Sequence, residues 1–313
     1  MSFGMVFPGQ GSQSVGMLAG LADRHASVRA TFDEASQVLG YDLWGLVQNG
    51  PEDELGGTER TQPALLAAGV AVWRVWQEAG GGTPGVMAGH SLGEYTALVC
   101  AGALDYPEAV MLVARRGRFM QEAVPAGEGA MAAILGLDDA TLREVCEQAA
   151  NGEVVQPVNF NAPGQVVIAG NRSAVDRVVA AAKEAGAKRA VPLAVSVPSH
   201  CRLMEPAARR LQEALQQARV ARPEIPVVHN VDAAPHEDPD EIRDALVRQL
   251  YNPVLWVDVV RALIGRGAGV IVEAGPGKVL SGLGRRIDRG VPTLPVFDPD
   301  TLGSAMDAIA ETE

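Results

Sequence analysis

The sequence predicts an α/β fold with a mostly parallel sheet and an inserted ferredoxin-like subdomain. Three observations carry that prediction. Apolar, strand-like runs alternate with helical patterns through the first third of the chain. A β-α-β-β-α-β order occupies about residues 129–195. The stretch "AGHSLGEYTALVCAG", from Ala88, sets a strand, a tight turn and a helix in immediate succession.

The elements follow in order. "GMVF" is a short first strand that runs straight into "PGQGSQ". "VRATFDEASQVLG" and "TQPALLAAGVAVWRVWQEAG" have helical spacing. "GVMA" leads into the turn around Ser91, and a further helix runs from Tyr106 to about Val124. Then the rhythm changes. "AMAAILGL" reads as a strand, and "DDATLREVCEQAA" as a helix with acidic residues in its first turn. "VVQPVNF" and "QVVIAG" are strands around the turn "NAPG". "SAVDRVVAAAKEAG" is a helix closed by glycine, and "KRAVPLAV" a strand. The chain returns through "PSH" to a long helix. "NVDAAPHEDPDE" reads as a surface loop before a helix, and "GVIVEAGPG" as a buried strand with a glycine turn. The expected division is residues 1–128 with 196–313 as a large subdomain and 129–195 as a small one. "GPGK" lacks the upstream glycine and following Ser/Thr of a phosphate loop.

Composition narrows the function classes. The chain has 313 residues, 47% of them hydrophobic, enough for a substantial core. A net charge of −12 argues against nucleic-acid or membrane binding through a general basic surface. No apolar run reaches the length of a membrane span, and the N-terminus lacks the pattern of a signal peptide. Cys100, Cys146 and Cys201 are widely spaced, which disfavours a disulfide framework and a zinc site. A cytoplasmic protein without a metal is expected.

The chemistry starts at Gly89-His90-Ser91-Leu92-Gly93. A strand that reverses sharply into a helix strains its corner residue, and glycines on either side remove clashing Cβ atoms. The serine then projects clear of the sheet beside free helix N–H groups. Such a nucleophile needs a base. Of the five histidines, His90 is expected to point away from Ser91, and His25 and His236 stand in polar contexts. His200 follows an apolar strand and opens a helix, whose N-terminus would keep its ring neutral. A capping or core histidine is the alternative. The acids between Ser91 and His200 (Asp105, Asp138, Asp139 and Asp176 among them) are poorly placed for a triad.

Arg116 falls inside an apolar helical stripe with Leu112, Val113 and Met120, without an acid at helical spacing. An inward arginine needs an anion. Either a distant Asp or Glu supplies it, or a substrate carboxylate does, which the planar guanidinium suits. The glycines of "PGQGSQ" let backbone N–H groups approach a ligand. One of them with the N–H of Leu92 would make an oxyanion hole.

With these residues in place, the chain closely resembles the malonyl-CoA:acyl carrier protein transacylases. The resemblance runs through "FPGQGSQ", "TQPAL", "GHSLGEY", "RRGRFMQEAVP", "NFNAPGQVVIAG", "SVPSH", "RQLYNPV" and "EAGPGKVL". It implies a hydrolase-like α/β core with the inserted subdomain. It implies Ser91 as nucleophile, His200 as base and Arg116 as the grip on the malonyl carboxylate. It implies that the backbone carbonyl of Gln249 orients the histidine in place of the missing acid, and since that carbonyl survives the substitution, Gln249→Ala should do much less damage than His200→Ala. The N–H groups of Gln10 and Leu92 match the oxyanion hole, and Gln62, Asn159 and Asn161 fall in motifs lining the cleft. Malonyl-CoA and acyl carrier protein are the implied partners of a monomer in fatty-acid synthesis. No cofactor is implied, because the CoA thioester and the phosphopantetheine are substrates. The alternatives are a serine thioesterase or esterase, with water as acceptor, and a trans-acting acyltransferase of a polyketide pathway.

Overall fold

The structure is a computed structural model that describes residues 2–195 and 197–311. The expected subdomain limits at 1, 196 and 313 lie outside these residues. Nine strands are present among them: β1 Ser2–Phe7, β2 Val86–Gly89, β3 Gly129–Leu135, β4 Val155–Ala162, β5 Gln165–Asn171, β6 Arg189–Pro192, β7 Val227–Val228, β8 Ala268–Ala274 and β9 Thr293–Val296.

They form two sheets. One has the order β7-β2-β1-β8-β9, and every pairing in it is parallel. Its strands are mostly apolar on both faces because helices cover both, with the buried Glu273 of β8 an exception. Phe3, Met5 and Phe7 of β1 point into a core shared with the helices Ala26–Leu39, Thr58–Glu78 and Tyr106–Ala123. Val6, with Val86 and Ala88, points the other way, toward the helices Trp256–Gly265 and Val279–Ile287. Alternation along the strand thus supplies both layers.

The other sheet is antiparallel with the order β4-β5-β3-β6, the ferredoxin-like arrangement of a β-α-β-β-α-β chain. In β3, Ala130, Ala132 and Ile134 pack under the helices Asp139–Ala150 and Arg172–Glu184. Met131 faces the opposite side, with Val158, Val167 and Cys201. A period of two therefore gives this sheet a helix-covered face and a face turned to the rest of the molecule. The N–H of Phe160 donates to Val254 O (3.0 Å) and that of Val254 to Val158 O (2.8 Å), tying β4 to the chain before Trp256.

Two expectations need correction, and two strands go beyond the sequence reading. β7 and β9 are too short for a readable period and were not foreseen from the sequence. "NVDAAPHEDPDE" is not all surface: Asn230 is fully buried, and a helix already starts at Pro239. His200 does not open a helix. It lies in a turn after β6 of the antiparallel sheet, and the long helix starts at Glu205.

Candidate active site

β1, β2 and β7 end side by side, with Phe7 opposite Gly89 and Ala88 opposite Val228. The turns that leave these ends bring Gln10, Ser91 and Asn230 to one edge of the sheet. Ligands of parallel sheets gather at such carboxyl ends.

Ser91 has φ 51°, a left-handed conformation that a non-glycine residue holds only when its surroundings impose it. The flanking glycines impose it by close packing. A Cβ on Gly89 would overlap the backbone of Gly93, and one on Gly93 would overlap Phe7 O. The helix Gly93–Cys100 therefore starts directly against the strand ends, and the Ser91 hydroxyl is pushed out above them. Asn230 holds both sides of the turn. Its Oδ1 accepts the Ser91 N–H (2.7 Å), and its Nδ2 donates to Gly89 O (2.7 Å).

His200 also has a positive φ, 66°, and its N–H donates to Leu250 O (3.0 Å). Its ring is 2.8 Å from the hydroxyl (Nε2 to Ser91 Oγ) and 2.7 Å from a carbonyl (Nδ1 to Gln249 O). A carbonyl only accepts, so Nδ1 carries the proton and Nε2 offers its lone pair to the serine. Burial, then the Arg116 charge, push the His200 pKa down to about 3, against a smaller upward pull from the Gln249 carbonyl. The ring is neutral at pH 7 for those reasons, not because of a helix terminus.

Arg116 is 1% exposed, and every group it hydrogen-bonds is neutral. Nη1 donates to Gln62 Oε1 (2.8 Å), and Nη2 to Gln249 Oε1 (3.0 Å) and Ser91 Oγ (3.3 Å). Nε lacks a partner, and Cζ lies 5.4 Å from the centre of the Tyr95 ring. Burial pulls its pKa down, while Tyr95 and Glu94 pull it back up. A guanidinium buried without a contacting acid is a receptor for an anion.

Gln249 is the larger surprise. It is fully buried, and its side chain is bonded on every side. Nε2 donates to Ser91 O (3.0 Å) and Glu94 Oε2 (3.0 Å), while Oε1 accepts from Arg116. The side chain is thus built into the site alongside the carbonyl. Gln62 places Arg116 and touches Met120 Sδ through Nε2 (3.4 Å). Asn159 lines the cleft with a buried, unpartnered Oδ1. Asn161 instead bonds His90 Nε2 (2.8 Å), whose ring packs edge-on against Trp256. Gln10 and Leu92 line the same cleft. Its volume is about 110 Å³, room for a short acyl group.

Sequence reasoning missed Glu94, His229 and Asn230, all fully buried beneath Ser91. The available signal was a glutamate in the otherwise apolar "GEYTALVC" and a polar pair straight after "PVV". The cysteines are free. Burial raises the Cys201 thiol to about 12, so it is a poor nucleophile. Among the described residues no cluster of three His, Cys, Asp or Glu side chains is placed to hold a metal ion.

A serine on a strained strand-to-helix turn, bonded to a neutral histidine at the carboxyl edge of a parallel sheet, is the arrangement of acyl-transferring α/β enzymes. The chain belongs to the acyl transferase family: the model described as "Acyl transferase domain" matches residues 5–288. It is 58% identical over 305 residues to the malonyl CoA-acyl carrier protein transacylase of Escherichia coli K12, covering 97% of this chain and 99% of that one. The transacylase of Bacillus subtilis 168 is 45% identical over 307 residues, 98% and 96% of the two chains. Among solved structures, an acyl carrier protein S-malonyltransferase from Vibrio cholerae matches at TM-score 0.95 and 57% identity, covering 97% of this chain and all of that one. A type II PKS acyl-carrier protein in complex with its malonyl-transacylase matches at 0.97 and 56%, covering 98% and 100%.

Proposed function

We propose that this enzyme moves a malonyl group from malonyl-CoA to the phosphopantetheine thiol of an acyl carrier protein, supplying extender units for fatty-acid synthesis. The observation that carries the reading is one oxygen with two neighbours. Ser91 Oγ lies 2.8 Å from His200 Nε2 and 3.3 Å from Arg116 Nη2. In a malonyl thioester the carboxylate carbon is two C–C bonds from the thioester carbon, about 2.5 Å away. A fork that close to the nucleophile fits a carboxylate that close to the reacting carbon. An acyl group with a longer spacer would overshoot it.

The reaction is ping-pong. His200 Nε2 takes the Ser91 proton as Oγ attacks the thioester carbon. The N–H groups of Gln10 and Leu92 meet the developing oxyanion. The intermediate collapses, CoA leaves with the proton from His200, and malonyl-Ser91 remains. The carrier thiol then gives its proton to His200 and attacks the ester, and Ser91 recovers that proton on leaving. Serine–histidine chemistry needs neither metal nor redox cofactor. The Gln249 carbonyl takes the place of a triad acid. Asn159 Oδ1, unpartnered in the cleft, offers an acceptor to the pantetheine side.

The protein works as a cytoplasmic monomer of two subdomains, residues 1–128 with 196–313 and residues 129–195, without nucleic acid or membrane. Among the described residues no helix is long and apolar enough to cross a membrane. The relative at 56% identity whose structure includes a type II PKS carrier favours a second reading, delivery to a polyketide carrier. Mass spectrometry after mixing with malonyl-CoA should show one malonyl group on Ser91, absent in Ser91→Ala, and chased off by carrier protein. The faster of a fatty-acid and a polyketide carrier identifies the pathway. An adduct on Cys201 or Cys100, or release to water as fast as to carrier, would refute the reading.

A further inference from the structure

Glu94 is the second residue of the helix that follows Ser91, and its side chain is wholly buried. Its carboxylate meets three donors: His229 Nδ1 (2.8 Å), the Asn230 N–H (2.8 Å) and Gln249 Nε2 (3.0 Å). Two of these donors, Asn230 and Gln249, lead to working parts of the site. Asn230 clamps Ser91 N–H and Gly89 O, the two flanks of the nucleophile's turn. Gln249 presents its carbonyl to His200 and its Oε1 to Arg116.

The direction of the Gln249 amide follows from its neighbours. A guanidinium only donates and a carboxylate only accepts. An amide between the two has one satisfying orientation, with oxygen toward Arg116 and nitrogen toward Glu94. Ser91 O, which accepts from the same Nε2 at 3.0 Å, favours the same orientation, so a neutral group at 94 would weaken that bias. Glu94 also supplies the negative charge that Arg116 lacks among its direct contacts, delivered through the Gln249 amide. The arrangement answers the choice left open by the sequence. A distant acid does compensate Arg116, yet it stands one residue back and leaves the fork with only neutral partners. An acid in direct contact would fill the fork and shut out a substrate carboxylate.

We propose that Glu94 is the positioning residue of this site, a buried carboxylate that sets Gln249 and Asn230 and, through them, the Arg116 fork and the Ser91 turn. The proposal rests on the assignment of Ser91, His200 and Arg116 given above. Its reach includes specificity: loss of the charge loosens carboxylate recognition more than it slows acyl transfer in general.

The test is Glu94→Gln. The substitution keeps size, and His229 can exchange tautomers to accept from the new amide, so the fold should survive, as circular dichroism would show. kcat/KM for malonyl-CoA should fall on the order of 10- to 100-fold, the range of one charge-assisted hydrogen bond. kcat/KM for acetyl-CoA should fall less, so the malonyl-to-acetyl ratio drops. Glu94→Asp, which keeps the charge, should recover part of the ratio and serves as the readout should the glutamine variant not fold. In an Arg116→Ala background Glu94→Gln should leave the ratio nearly unchanged, since the two act in one chain. An unchanged ratio in Glu94→Gln, or an equal drop with and without Arg116, would overturn the proposal and leave the site assignment standing. An unchanged ratio in Arg116→Ala alone would overturn the site assignment and the proposal with it.

Discussion

Gln249→Ala separates two accounts of this site. If only the main-chain carbonyl matters, the variant is nearly silent, because that carbonyl survives. The structure predicts otherwise. The substitution deletes the acceptor for Arg116 Nη2 and the donors to Glu94 Oε2 and Ser91 O, each at 3.0 Å. Two of these bonds involve an ionised partner, and an orphaned buried group of that kind costs about 1.5–3 kcal/mol. The simple sum is roughly 3–6 kcal/mol, an upper bound. Glu94 keeps His229 and Asn230 as donors, and Arg116 keeps Gln62. Water entering the space left by the amide offsets part of the rest. A stability loss of about 2–4 kcal/mol is expected. If half of it falls on the placement of Arg116, malonyl transfer drops by about 5- to 30-fold. Urea denaturation measures the first quantity, and steady-state kcat/KM for malonyl-CoA with a saturating carrier protein the second. A variant that matched wild type in both would show the side chain to be a bystander and refute the reasoning.

Arg116→Ala should cut malonyl transfer strongly and lower the malonyl-to-acetyl ratio, and Arg116→Lys should restore only part, because a point charge cannot reproduce the fork. Paired kcat/KM values decide it; an unchanged ratio would make Arg116 structural. The depressed His200 pKa, about 3 against an ordinary 6.5, has a sign that can be worked out. The unfolded chain binds the proton first, so His200's contribution to stability is whole above pH 6.5 and is lost as pH falls toward 3. The Ser91 acylation rate should therefore show no inflection near pH 6.5, and stopped-flow acylation between pH 5 and 8 that did titrate there would contradict the burial argument.

How the site was legible in the sequence, and where it was not, has one physical root. Ser91 was readable because glycines at 89 and 93 announce a backbone that only a tight strand-to-helix turn requires. Arg116 was readable because a charge inside an apolar stripe has to be explained by a partner. The inserted subdomain was readable because its strands and helices carry clear periods of two and of 3.6. Glu94 satisfies the same rule as Arg116, a charge in an apolar helix. Its position in the first helical turn disguised it, since an acid there already has a favourable partner in the helix dipole. Asn230 was hidden by composition: it opens a Pro- and Asp-rich loop whose other residues do lie near the surface. What no local pattern carries is which buried polar group meets which. Glu94 and His229 are 135 positions apart, and Ser91 and Gln249 158. The site holds two buried charges of opposite sign, Arg116 and Glu94, joined by one amide. Each is costly alone, and each is tolerated because the fold brings the other to it. The sequence rule finds charges that need partners. The fold pairs them, and in this enzyme it pairs them indirectly, so that the positive one still has a face to offer a substrate.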